Sequence, residues 1–251
     1  MQHRGQVTIF IIAAVVIVLG ISLFYFIGSD SENNSSGNSV VDDAILECVT
    51  FMTDTSYQFV PYQGGYHTPP QRFFNFSPTF FPYYYYEGQS LIPSLQDIEK
   101  EMGAFVNDNL GDCFNSMERA GFEVSYEPIV TTVTIAEDDV TYTVDTVVTL
   151  TRDGQAFRVD TSTLDPMIYE SKLYYLYDAA AFFVADQVED SEFYCISCIT
   201  RMAETHGFRF YIMPLVDEVY FVTVFTEGED PTILNFVAKY KEGKVEEDSV
   251  L

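Results

Sequence analysis

The chain has 251 residues, 47% of them apolar, with 38 acidic residues against 12 basic ones and a net charge of −26. An apolar share of that size excludes a disordered chain. The acidic excess excludes nucleic acid as a partner, because like charges repel the phosphate backbone. The acid groups are spread along the chain, as at Asp42, Asp97, Asp138, Asp186 and Glu227, which makes a solvated acidic surface and not an acidic tail. Such a surface fits either a high-salt environment, where counterions screen self-repulsion, or a functional anionic field, and the salt reading is preferred.

Residues 1–6 form a short leader containing His3 and Arg4. Residues 7–27 are uncharged and rich in Ile, Val, Leu, Phe and Ala; as a helix they would be about 30 Å long, the thickness of a bilayer. A removable signal has a shorter apolar region of about 7–15 residues. Phe24, Tyr25 and Phe26 close the stretch with side chains suited to a membrane interface. Basic residues precede it and Asp30 and Glu32 follow it, so the N-terminus is predicted to stay cytoplasmic and the remainder to lie outside a single-pass cell-membrane anchor. The lipid bilayer is then a partner through residues 7–27.

Residues 28–39 carry no apolar side chain and read as a flexible polar linker. Asn33 and Asn34 both open Asn-x-Ser triplets, candidate glycan acceptors on an outer face. Asn75 opens another, with Pro78 directly after its Ser77.

Roughly 210 residues remain from position 40, enough for one large core or two small ones. Ile45, Leu46, Cys48, Val49 and Met52 recur at helical spacing, which predicts a helix over 41–59. Residues 60–88 hold five prolines and the Gly64-Gly65 pair and read as a long loop. Ser94 and Asp97 form a cap pattern before the stripe Leu95, Ile98, Met102, Phe105, Val106 and Leu110, a helix predicted to run to about Arg119 and to stop at Gly121. Alternation then predicts three or four antiparallel strands over 122–163, with turns at 137–139 and at Asp153-Gly154. Residues 165–189 read as a helix, and a second runs from about Phe193 to Glu204. A hairpin and a last strand complete the chain. Helix, helix and strands thus occur twice, predicting an α+β ectodomain of two helix-helix-antiparallel-sheet subdomains, 40–164 and 165–251.

All four cysteines follow the apolar stretch, and an even number in an extracytoplasmic segment suggests two disulfides with three possible pairings. Cys48 and Cys113 fall on the two helices of the first half and Cys195 and Cys198 on one of the second, so the pairing 48–113 with 195–198 is preferred. A 48–113 bridge would close a loop of about 65 residues, worth about 4 kcal/mol in the chain-entropy model. Cys-Ile-Ser-Cys reads as a local staple; the sharper alternative is a thiol-disulfide redox pair, which needs a preceding strand and an exposed first thiol at a helix N-terminus.

The histidines His3, His67 and His206 are scattered, and no catalytic motif with a phosphate loop, nucleophile elbow or paired zinc histidines is present. No metal or cofactor is predicted, and the acidic turns at 137–139 and 227–230 read as solvated turns without the spacing of a calcium loop. Thirteen Phe or Tyr fall between Tyr57 and Tyr86 in a chain without Trp. Tyr83, Tyr84, Tyr85 and Tyr86 are the candidate binding residues, since each offers an apolar face with a polar tip to a sugar or a protein. The opposing reading is that these rings cover the core.

"RGQVTIFII" resembles the N-terminal signal of archaeal type IV pilin-like proteins, which implies cleavage between Gly5 and Gln6. The fifth residue after that point is Phe10, where many pilins carry Glu, a departure from a main filament subunit. "QGGY" at 63–66, the 83–102 segment, Cys48 and Cys113, and 176–187 followed by 233–240 are similar to an uncharacterised family of single-span archaeal surface proteins. The resemblance implies location and architecture and no activity. The expectation is a membrane-anchored surface protein acting in attachment or as a pilin-like component, with self-assembly or a surface protein or glycan as partner; the alternatives are a thiol-disulfide oxidoreductase using Cys195 and Cys198 and a carbohydrate-binding module.

Overall fold

The computed structural model describes residues 36–189, 196–216, 218–228 and 230–241. The leader with Gly5 and Gln6, the 7–27 stretch, Asn33, Asn34 and Cys195 lie outside the described residues. Among the described residues no helix is long and apolar enough to cross a membrane. The chain divides at Val40/Val41 into two units, and the architecture below is that of Val41–Leu251.

The fold is α+β, with four α-helices and three sheets among the described residues. Helix α1 (Ser36–Tyr62) and helix α2 (Leu95–Ser116) pack through Val41, Ile45, Val49 and Val60 on one side and Ile98, Met102, Val106 and Leu110 on the other. Spacings of four, and of eleven (about three turns) between Val49 and Val60, return to one side of each helix, so each presents one apolar stripe. Ser94 caps α2 in a capping box with Asp97, as its sequence predicts. A short 3-10 turn (Met117–Ala120) follows, and Gly121 ends it at φ 85°.

Strands β4 (Glu123–Tyr126), β7 (Val147–Arg152) and β8 (Gln155–Asp160) form one antiparallel sheet, and β5 (Val130–Ile135), β6 (Asp139–Asp145) and β9 (Met167–Glu170) a second. Along β6, Val140, Tyr142 and Val144 point inward with polar residues between them, the two-residue period of a half-buried strand. These inner faces complete the core under α1 and α2.

A second core lies beneath helix α3 (Leu173–Glu189), where Leu176, Ala180, Phe183 and Val184 meet a six-stranded sheet. Its strands are β1 (Phe73–Phe76), β2 (Thr79–Tyr86), β3 (Gln89–Ser90), β10 (Phe208–Val216), β11 (Val219–Thr226) and β12 (Ile233–Lys239), with helix α4 (Ile196–His206) leading into β10. The order is β1-β2-β12-β11-β10, with β3 also on β2. All pairings are antiparallel except β2 with β12. β12 is central and buried along nearly its whole length.

Five expectations need correction. Residues 36–39 of the expected linker already belong to α1, and 122–163 hold five strands in place of three or four. Residues 60–88 are not a loop: α1 continues to Tyr62, and 73–86 fold as the β1–β2 hairpin. The aromatics that fill this stretch are strong strand formers, and they outweigh its prolines, of which Pro78 sits in the turn. Residues 165–172 are not helical, because Met167–Glu170 add a strand beside β6. The expected boundary at 164/165 is crossed by the six-stranded sheet, since β2 from the first half pairs with β12 from the second.

Candidate functional site

The "QGGY" turn ends α1 and builds one wall of the site. Gly64 and Gly65 hold φ of 65° and 76°, and the Gly65 N–H returns to the Val60 carbonyl at 2.9 Å. A Cβ on Gly64 would stand 2.5 Å from the Asn235 carbonyl oxygen, so this approach requires glycine. The last carbonyl of α1 and one in the turn after it take side-chain donors from the sheet: Asn235 Nδ2 donates to Tyr62 O at 2.8 Å and the Tyr84 hydroxyl to Gly64 O at 3.0 Å. The first bond satisfies a helix-end group that has no partner within the helix.

Beyond the turn, the backbone N–H of His67 donates to Glu101 Oε2 at 2.9 Å, and its Nε2 meets Asp108 Oδ2 at 3.1 Å. This ties the segment before β1 to α2.

The four adjacent tyrosines divide into two pairs. Val237 pairs with Tyr83 and Ala238 with Tyr85, so Tyr84 is an extra residue on β2, a β-bulge. The bulge breaks alternation: Tyr84 and Tyr85 are both buried, while Tyr83 and Tyr86 are half-exposed. Tyr84 stacks on Phe236 with ring centres 4.5 Å apart, and Tyr85 packs on Tyr240. Tyr84 and Tyr85 are therefore core residues and not part of a binding surface, which corrects half of the predicted set. Tyr83 and Tyr86 meet edge to face at 5.2 Å.

β1 pairs with the first half of β2 and β3 with its end. Between them lies a groove of about 390 Å³, within the range of small-ligand sites. Tyr66, Pro70, Gln71, Arg72, Pro82, Tyr83, Gln89, Leu91 and Ile92 line it. Burial pushes the phenols of Tyr66 and Tyr83 up from their ordinary value, so both keep their protons at neutral pH. The Arg72 guanidinium lies 4.4 Å from the centre of the Tyr86 ring, and Lys239 Nζ lies 5.1 Å from it. Lys239 also pairs with Glu87 Oε1 at 2.9 Å. Sequence reading selected the tyrosines by their run and missed Arg72, Gln71 and Gln89, whose proximity depends on the hairpin.

Cys48 and Cys113 form a disulfide between α1 and α2. Cys198 lies on α4, half-buried and disulfide-bonded. Asn75 is exposed on β1. The acidic turns are engaged within the chain: Asp138 pairs with Lys172, Glu137 Oε2 accepts from the Tyr175 hydroxyl at 3.1 Å, and Glu227 takes Arg209 at 2.9 Å. Among the described residues no group of three or more His, Cys, Asp or Glu is arranged to hold a metal ion.

Comparison with protein-family models, curated proteins and solved structures finds no match to this chain.

Proposed function

We propose that this chain is a membrane-anchored extracytoplasmic surface protein whose α+β ectodomain acts in attachment, with residues 7–27 as its anchor or pilin-like stem. The observation that carries the reading is the Cys48–Cys113 disulfide, with Cys198 also bonded, because structural disulfides persist in oxidising compartments. The uncharged 7–27 stretch and its flanking charges support the same side of the membrane. The contact surface is the groove beside β2, with half-exposed Tyr83 lining it, Tyr86 behind Arg72, and Tyr84 and Tyr85 buried in the core.

Adhesion of native-host cells lacking the chain, against cells with it restored, tests the role. Loss of attachment on deletion and recovery on restoration is expected; attachment unchanged by deletion overturns the reading. The terminus of the protein isolated from its native membrane then separates the two forms of the stem by mass spectrometry, Gln6 for a processed pilin-like stem and Met1 for a plain anchor.

A further inference from the structure

Resting on the attachment reading, we propose that the groove between β1 and β3 binds an acidic saccharide, a sugar chain bearing carboxylate groups, with Arg72 as its anion contact. Three observations converge on that chemistry.

The first is charge. Surface ion pairs engage Lys100, Arg152, Lys172, Arg209 and Lys239; among the described residues none engages Arg72, Arg119, Arg158, Arg201 or Lys241, and of these five Arg72 is the one that lines the groove. In a chain of net charge −26, Arg72 nevertheless lines a groove with its guanidinium laid on the Tyr86 ring. A cation–π contact at that distance holds the guanidinium against the ring, and its N–H fork matches a carboxylate in bidentate geometry. Lys239 touches the same ring, and Lys241 Nζ lies 4.0 Å from where a Cβ on Gly88 would stand. Arg72 and Lys239 therefore meet at the Tyr86 ring and Lys241 lies beside the β2–β3 turn; the nearby carboxylates are Glu87, paired to Lys239, and Glu101 and Asp97, which act on Tyr66.

The second is the lining. Tyr66 and Tyr83 supply ring faces and hydroxyls, and Gln71 and Gln89 supply amides that both donate and accept. Aromatic faces beside amide groups suit a ligand with an apolar ring face and a hydroxyl edge.

The third is what the groove lacks. An extended peptide is held chiefly by main-chain hydrogen bonds to an open strand edge. In the gap between β1 and β3 that edge is closed, because the Tyr83 N–H donates to Arg72 O at 3.2 Å and Tyr84 O accepts from the Leu91 N–H at 2.7 Å. Recognition falls to side chains, which favours a saccharide over a peptide.

The test is titration of the full chain in detergent with a galacturonic acid hexamer, a neutral maltohexaose and a hexaglutamate peptide. The acidic hexamer is expected to bind at least about tenfold tighter than either control, and Arg72→Gln to remove about tenfold of that affinity, the scale of one charged hydrogen bond. Lys241→Gln, beside the β2–β3 turn, should weaken it less. Unchanged melting of the Arg72→Gln protein serves as the folding control, since Arg72 is exposed. Equal binding of the neutral sugar, preferential binding of the peptide, no saccharide binding, or indifference to Arg72→Gln would each overturn the inference. The cell adhesion comparison stays separate: attachment lost on deletion but intact in the Arg72→Gln strain leaves the attachment reading standing and removes only the ligand.

Discussion

Position 84 places a tyrosine at zero exposure, stacked on Phe236 and bonded through its hydroxyl to the turn after α1. Tyr84→Phe keeps the ring and leaves Gly64 O without its donor, so it should cost about 1 kcal/mol, whereas Tyr84→Ala opens a cavity and should cost about 3–5 kcal/mol. Urea denaturation reads both. At the half-exposed neighbour, Tyr83→Ala should cost far less, and equal losses at 83 and 84 would contradict the bulge. Gly64→Ala has no route around its positive φ and the Asn235 carbonyl, and should destabilise by about 1–3 kcal/mol. In the sequence the four tyrosines are identical in kind. What separates them is one extra residue in the pairing with β12, a partner about 150 residues away in the chain, and no local pattern records that.

Helix α2 was legible because its signals are local: Ser94, Asp97 and a stripe of apolar residues lie within a few turns of one another. Hydrogen bonds from the Ser94 side chain and backbone hold the Asp97 carboxyl below its ordinary value of 3.8. A folded-state value below the unfolded one means that the contribution is complete above the unfolded value and is lost as pH falls through the folded one. Ser94→Ala should therefore cost about 1 kcal/mol at neutral pH and flatten this part of the acid limb below the ordinary carboxylate range. A pH series of melting temperatures on both proteins checks the sign. The disulfide closes 65 residues between α1 and α2, so replacing Cys48 and Cys113 together by Ala should remove about 4 kcal/mol. The β1–β2 hairpin was not legible, because aromatics occupy both faces and leave no polar alternation to mark a strand. The same absence hid the groove, whose side chains come from the segment before β1 and from β3.

Over the whole molecule, a net charge of −26 sets self-repulsion against a fold whose described residues form two large apolar clusters and a small third one. Raising KCl from 0.15 M to 1 M shortens the screening length from about 8 Å to about 3 Å. If the acidity is salt adaptation, the melting temperature should climb by roughly 2–4 °C for each kcal/mol of repulsion screened; a flat response would favour a functional anionic field. The α+β class followed from the change of period at Gly121 and again after Gly207, yet the sheet that joins β2 to β12 depends on a long-range parallel pairing that periodicity does not encode. The location of the ectodomain is best decided on intact native-host cells with a membrane-impermeant thiol reagent, applied with and without an impermeant reductant. Labelling of Cys48 and Cys113 only after reduction, without lysis, is the predicted result. Labelling without reduction, or only after the cells are broken, would contradict a disulfide-bonded domain displayed outside the membrane.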